Sequence, residues 1–409
     1  MKVLHLNTWY AYGSTGKLVQ SIHERCLSKG LDSFVIFGRG KDYSNARDKK
    51  RIFKGSYTLE SKFNSVLSRF NGIMYGGCFL STKKTIHLIN KINPDLIHIH
   101  CTNSFVLNNY KLFKFLGLNG YKVVITLHAE YLYTGACSHT FSCTQWIDGC
   151  KKCPNLKFAN RSVFFDRTPT SWKKMNKALS YIRINDRKIV SVSDWLRENA
   201  LKSQTFRKDD IRIIGNGINT NIFNYRRADN QFGYLRDKYS KILLFITPDF
   251  HADKGDLKGG DYFLKIAEHF KNKSDYLFIL VSHKKTNYNF EYFPNIKNIQ
   301  IKTQNELAQL YSITDVTLML SRRETFSLVT AESISCGTFV AGFKSGGPES
   351  IALKEYSKFF EQGDLKNLLL FLENFEAGEK RSIDYYKDEK MADEYIALYK
   401  ELLKKDERK

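Results

Sequence analysis

The chain has 409 residues, 42% of them apolar, which is more than one typical core needs and suits two packed domains rather than a disordered polymer. Lysine and arginine number 64 against 42 acids, a formal net charge of +22. That excess implies an anionic partner: nucleic acid, an anionic membrane surface, or phosphorylated small molecules. The opening MKVLHLNTWYAYG has only a short apolar run, broken by Asn7 and Thr8, so it does not read as a signal peptide. No run reaches the roughly 18 apolar residues of a membrane-spanning helix. The expectation is a cytoplasmic protein whose membrane contact, if any, is peripheral.

In chain order, KVLHLN (2–7) reads as a buried strand. The polar loop TWYAYGSTG follows, then an amphipathic run from Lys17 to Lys29. FVIF (34–37), DLIHIH (95–100), KVVITL (122–127) and KIVSV (188–192) are further short strands, with helical patterns between them. Between the second and third strands, segment 51–92 carries Arg51, Lys54, Lys62, Arg69, Lys83, Lys84 and Lys91 against one acid, Glu60. Leu59, Phe63, Val66, Leu67 and Phe70 fall on one helical face there. Such a helix either lies on an anionic membrane or packs on the core.

The Asn- and Gly-rich stretch 213–234 reads as a linker. KILLFI (241–246), YLFILV (276–281), IQIK (299–302), DVTLML (315–320) and TFVAGF (338–343) repeat the strand–helix alternation. KMADEYIALYKELLKK (390–405) closes the chain as a one-faced amphipathic helix. Alternation of this kind predicts an α/β protein with two doubly wound, Rossmann-like parallel sheets, whose ligands lie beyond the carboxyl ends of the strands.

DVTLMLSRRETFSLVTAES places a strand, a polar loop holding Glu324, and a helix beginning near Phe326, with Glu332 about two turns inside it. The N–H groups of Phe326, Ser327, Leu328 and Val329 then form an anion site fit for a diphosphate. A carboxylate on either side suits a nucleotide-sugar, which carries a sugar at each end. The plainer alternative is one acid on a helix dipole and one in solvent.

The order SRRETFSLVTAESISCGTFVA then KSGGPESI resembles the nucleotide-sugar motif of family-4 retaining glycosyltransferases, with its E-x7-E pair, CGT and GG-x-PE turn. Gly346, Gly347, Pro348 and Glu349 keep that turn one residue shorter. SVSDWLRENALKSQTFRKDDIRIIGNGINTNIF (191–223), DLKGGDYFLKIAEHF (256–270) and GSTGKLVQSIH (13–23) are similar to further elements of the family. TLHAEYLYTGACSHTFSCTQWIDGCKKCP (126–154) is similar to a Cys-rich loop of its bacterial exopolysaccharide and O-antigen (colanic-acid-type) subgroup.

The resemblance implies a GT-B fold of two facing domains. Residues 1–215 would bind acceptor, 216–238 link, 239–385 bind donor, and 386–409 cross back as a helix. It implies transfer of a hexose, with retention, from a nucleoside-diphosphate sugar to a glycan on a polyprenyl diphosphate. The runner-up acceptors are a soluble sugar or a glycolipid.

By the same resemblance Glu324 holds the donor sugar, Glu332 the ribose, and Lys258 neutralises the leaving diphosphate. The family's second cation, an arginine, is missing from TPDFHADKGDLKG, leaving Lys254, Arg322 or Arg323 in its place. His128 stands where the family puts a histidine near the donor sugar. The family's next residue, Asp, is Ala129 here, and Glu130 is the candidate replacement. Gly16 is placed against donor phosphate, and Gly13, His100 and Glu130 against acceptor.

His98 and His100 share a strand face and read either as metal ligands or as hydrogen-bonded histidines. Cys137, Cys143, Cys150 and Cys153 crowd into 17 residues and read as a structural zinc site, with two disulfides as the rival. No cofactor is expected for catalysis. Two rivals of other classes remain. A nucleic-acid binder is allowed by charge but lacks a reader motif. A non-catalytic scaffold would keep the fold alone.

Overall fold

The computed structural model describes residues 1–40, 49–157, 162–226 and 231–404. Parts of the expected linker (227–230) and Lys405 of the expected last helix lie outside the described residues. The chain divides into two compact units. Met1–Gly217 and the stretch from Asp388 form the first, and Ile218–Lys387 the second.

The first unit runs β1 (Lys2–Asn7), α1 (Gly13–Ser28), β2 (Asp32–Phe37), β3 (Ile52–Lys54), α2 (Thr58–Asn71), α3 (Phe79–Ile92) and β4 (Leu96–Ile99). It continues α4 (Asn109–Leu118), β5 (Lys122–Leu127), α5 (Thr168–Ser180), β6 (Arg187–Ser191), α6 (Asp194–Lys202) and β7 (Ile211–Ile213). The strands form one parallel sheet in the order β3-β2-β1-β4-β5-β6-β7. Its inner strands are buried on both faces, which is why they read as near-continuous apolar runs.

The second unit runs α7 (Tyr234–Lys238), β8 (Lys241–Thr247), α8 (Gly260–His269), β9 (Tyr276–Ser282), β10 (Ile296–Ile299), α9 (Gln304–Ile313) and β11 (Val316–Met319). Then come α10 (Leu328–Ser335), β12 (Phe339–Phe343), α11 (Gly347–Ile351), β13 (Ser357–Phe360) and α12 (Leu365–Asn374). Its parallel sheet is ordered β10-β9-β8-β11-β12-β13. Residues 218–226 pack within this unit: Tyr225 N donates to Ser382 Oγ and Arg226 N to Ser312 Oγ, both at 3.0–3.1 Å.

The chain returns to the first unit as α13 (Asp388–Lys404). Met391, Tyr395, Leu398, Tyr399 and Leu402 join Val3, Leu96, Val124 and Val190 of the sheet and Leu18 and Ile22 of α1 in one core. Arg25 of α1 clasps Asp393 through Nε (2.9 Å) and Nη2 (2.6 Å), fixing the two helices side by side.

Both sheets have a switch point where the strand order reverses, between β1 and β4 in the first and between β8 and β11 in the second. Ligands of doubly wound folds bind there. The expected strand 299–302 is displaced to Ile296–Ile299, and β3, β7 and β13 were not foreseen. All four lie at sheet edges, where a short, half-solvated strand carries little apolar pattern.

The expected amphipathic helix is α2, and its apolar face does not pack on the core. Leu59 is 81% exposed, Phe63 66%, and Val66, Leu67 and Phe70 are exposed as well. Phe70 stacks on Phe164, itself exposed. No described helix is long and apolar enough to cross a membrane.

Candidate active site

Lys258 and Glu324 follow β8 and β11, the two strands flanking the second unit's switch point. Gly259 lets their loops meet. It sits at φ +82°, and a Cβ there would stand 2.3 Å from the Leu320 carbonyl oxygen. Asp256 accepts from the N–H groups of Lys258 and Gly260, each at 3.1 Å, and shapes the turn into α8. Lys258 Nζ then donates to Glu324 Oε1, and Ser321 Oγ donates to the same oxygen at 3.2 Å.

The Glu324 backbone is sewn to the Gly-Gly-Pro turn. Glu324 N donates to Ser345 O (3.0 Å), and Gly347 N donates to Glu324 O (2.8 Å). A Cβ on Gly347 would lie 2.3 Å from the Thr325 carbonyl carbon and 2.4 Å from Phe326 N, so only glycine allows that approach. Glu349 accepts from the N–H groups of Ser345 (3.0 Å) and Gly346 (2.8 Å) and locks the turn.

The helix after this loop starts at Leu328, two residues later than expected. The reason is Ser327, held at φ +79°, where a non-glycine residue costs about 1–3 kcal/mol. Its Oγ accepts from Thr330 N at 3.2 Å and caps the helix. Leu328 N and Val329 N find no partner among the described residues and carry the helix dipole's positive end. Phe326, by contrast, is a buried core side chain. Glu332 is the fifth residue of α10, just over one turn in, and accepts from the Tyr311 hydroxyl at 3.1 Å. Burial, and then Glu332, push the Tyr311 phenol well above its ordinary range, so it stays a donor.

Arg322 is not placed to meet a donor. Its guanidinium clasps Asp261 at 2.9 and 2.8 Å, donates to the Asp256 carbonyl, and stacks on the Tyr262 ring at 4.5 Å. Arg323 is half-buried. Lys254 is exposed in the same β8–α8 loop. Sequence reasoning missed Asp256, Asp261 and Ser321. The D-x-K-G-G spacing was a usable signal for Asp256, since an aspartate just before a turn glycine commonly bonds the backbone N–H groups of the turn. The Arg322–Asp261 pair spans 61 residues and left no local trace.

In the first unit, Gly13 and Gly16 belong to α1 itself and not to the loop before it. Gly16 packs on Trp9, with a Cβ reaching 3.2 Å from that side chain. Around this switch point Asn7 Oδ1 accepts from Cys101 N (3.0 Å), and Thr8 Oγ1 donates to Cys101 O (2.8 Å), tying the loop after β1 to the loop after β4.

His128 is half-buried just beyond β5, with Nε2 3.3 Å from His100 Nδ1. Burial lowers it to about 4, so its ring is neutral near pH 7. His100 is fully buried and bonded to His128 on one side and His5 at 3.5 Å on the other, so, contrary to expectation, it is not exposed to meet an acceptor. The ring nitrogens of His5, His98 and His100 lie within 4.8 Å of one another. His98 is nonetheless spent on hydroxyls: Nδ1 bonds Tyr399 (2.6 Å) and Nε2 bonds Thr126 (2.8 Å). The group is a core network of hydrogen bonds in which one nitrogen, His5 Nε2, has no partner among the described residues.

Glu130 is also fully buried. It accepts from Thr140 N (2.8 Å), Thr140 Oγ1 (3.0 Å) and the Tyr133 hydroxyl (3.1 Å). It therefore anchors the cysteine loop and does not face an acceptor. Cys137, Cys143, Cys150 and Cys153 line one space of about 20 Å³ together with His139, and no disulfide joins them. Cys137 and Cys153 share a hydrogen bond that pulls Cys153 down to about 7 and pushes Cys137 up. Four thiols are the donor set of a structural zinc, but among the described residues the potential ligand atoms lying within 4.8 Å of one another are those of His5, His98 and His100 and not these four.

Residues 59–222 match Glycosyltransferase Family 4, and residues 252–396 match Glycosyl transferases group 1. The chain is 29% identical over 165 residues to the colanic acid biosynthesis glycosyl transferase WcaC of Escherichia coli. That match spans 38% of this chain and 40% of the relative, well under two thirds of its length. Among solved structures, the sucrose-phosphate synthase of Thermosynechococcus elongatus superposes with a TM-score of 0.67 at 14% identity, covering 98% of this chain and 99% of the other. HepE from Anabaena, solved with UDP, gives 0.62 at 11% identity, covering 98% and 100%. With two doubly wound parallel sheets and these matches across both, the chain belongs to the family-4 glycosyltransferases of the GT-B fold.

Proposed function

We propose that the protein is a retaining glycosyltransferase that moves a hexose from a nucleoside-diphosphate sugar to a glycan carried on a polyprenyl diphosphate, in the assembly of a bacterial surface polysaccharide. The observation that carries this reading is the meeting of Lys258 and Glu324 at the second unit's switch point, one loop away from the start of α10. Leu328 N and Val329 N receive the diphosphate. Lys258 leaves Glu324 for the phosphate oxygens as the bond to the sugar breaks, and stabilises the charge that develops there. Glu324, released, accepts from the sugar hydroxyls, and Glu332 accepts from the ribose. His128, neutral, acts by hydrogen bonding and not as a cation.

No catalytic metal enters this scheme. Cys137, Cys143, Cys150 and Cys153 would hold a structural zinc that closes the loop following His128. The acceptor's lipid is met at an anionic membrane surface by α2, whose exposed Leu59, Phe63 and Phe70 are accompanied by exposed Lys62 and Arg69. The resemblance to WcaC supports the polysaccharide context.

A thermal-shift screen across UDP-, GDP- and ADP-sugars tests the donor. One nucleotide class is expected to raise the melting temperature, and Glu332→Ala to abolish the rise. Equal absence of a shift with every donor would count against the whole reading.

A further inference from the structure

We propose that the first unit holds a second ligand site, a pocket for the alkyl chain of a phosphorylated lipid with lysines at its mouth for the phosphate. The pocket has a volume of about 570 Å³, within the range of small-molecule sites, and lies between α2, α4 and α5. Leu67, Ile73, Phe105, Leu107 and Ala178 give it apolar walls.

Four lysines line it as well. Lys111 and Lys114 stand one turn apart on α4, and Lys174 and Lys177 one turn apart on α5, so each helix turns two ammonium groups the same way. All four are exposed, and none of the described lining residues is acidic. Lys111 Nζ rests 4.4 Å above the Phe79 ring and Lys114 Nζ 5.4 Å above Tyr181. Those stacked rings hold the charges at the rim. Apolar depth with a cationic, acid-free mouth matches an amphiphile with one anionic end. Asn64, Ser68, Asn71 and Asn108 also line the pocket and offer groups for a sugar, so a neutral sugar headgroup is the rival that titration separates.

Leu67 belongs both to this pocket and to the exposed face of α2. A lipid leaving a membrane on which α2 lies would therefore enter without crossing water. The proposal deepens the reading of a lipid-linked acceptor and rests on it for the source of the ligand.

The test is calorimetric titration of the full chain with dodecyl phosphate below its micelle concentration. Inorganic phosphate and dodecyl maltoside serve as the headgroup-only and neutral-chain arms. Saturable one-to-one binding of dodecyl phosphate is expected, at least tenfold tighter than either control. The double variant Lys174→Glu, Lys177→Glu is expected to weaken it at least tenfold with an unchanged melting temperature. Binding of the maltoside with equal affinity, indifference to the double variant, or binding of phosphate alone as tightly would overturn the proposal. The donor-induced thermal shift is measured on the same samples. If it persists while dodecyl phosphate fails to bind, the pocket is wrong and the transferase reading stands.

Discussion

Lys258→Met isolates the charge that the proposed chemistry relies on. Methionine keeps most of the apolar stem and removes the ammonium. Lys258 now neutralises Glu324, with side chains 29% and 17% exposed. Two unit charges about 4 Å apart interact by about 4 kcal/mol in the intermediate dielectric of such a site. Removing one preorganised donor from a developing anion costs about 10²–10³ in kcat, or about 2.7–4 kcal/mol. The two estimates agree, so kcat/KM is expected to fall by 10²–10³. Folding should suffer far less, because a partly exposed ion pair contributes about 1 kcal/mol or less. In a unit of this size that is a melting shift of about 2–4 °C. The assay is nucleoside-diphosphate release from the donor identified by thermal shift, run beside thermal unfolding. A kcat/KM within threefold of the parent, or a much larger melting shift with activity per folded molecule retained, would show Lys258 to be a structural cation and refute the assignment.

Arg322→Ala should do the reverse. It strands the buried Asp261 carboxylate and is expected to cost about 3–5 kcal/mol in urea unfolding, while the donor-induced thermal shift survives in the folded fraction. Loss of donor binding without loss of stability would return Arg322 to the diphosphate. The buried histidines make stability depend on pH. His5 is lowered to about 3, and His98 and His100 well below their ordinary value, chiefly by burial, so each is neutral when folded and takes up a proton on unfolding below about pH 6.5. Stability should therefore be fully present above that pH and fall as pH drops, by up to about 1.4 kcal/mol per pH unit for each histidine. A flat urea midpoint from pH 6.5 to 5 contradicts this. For the cysteine loop, atomic absorption is expected to find one zinc per chain. Phenanthroline should lower the melting temperature of the parent but not that of Cys150→Ala. A protein purified without zinc and indifferent to chelation would exclude the metal.

What could be read in advance follows from where each residue's partners lie. KVVITL and YLFILV sit in sheet interiors, covered on both faces, and their unbroken apolar runs announce it. IFK in β3 and SKFF in β13 are half-wet edges with no such mark. Glu324, Glu332 and Lys258 were singled out by the motif around them and not by their contacts, since Lys258 meets Glu324 across 66 residues and Tyr311 meets Glu332 across 21. The place of Glu130 was not legible: nothing in HAEYLYTG says that Thr140, ten residues on, will fold over and bury it. The start of α10 was misplaced because a positive φ at a serine is imposed by the surrounding turn and has no residue-type signature.

The return of α13 to the first unit has a consequence for how the chain is made. The second unit is continuous in sequence and can fold as soon as residues 218–387 leave the ribosome. The first cannot, because Val3, Leu96, Val124 and Val190 are covered in part by Met391, Tyr395, Tyr399 and Leu402, which are synthesised after the second unit. The N-terminal half must then wait, partly uncovered, through the synthesis of an entire second domain. Premature termination anywhere before residue 391 would leave that surface open to aggregation while the C-terminal half is already native.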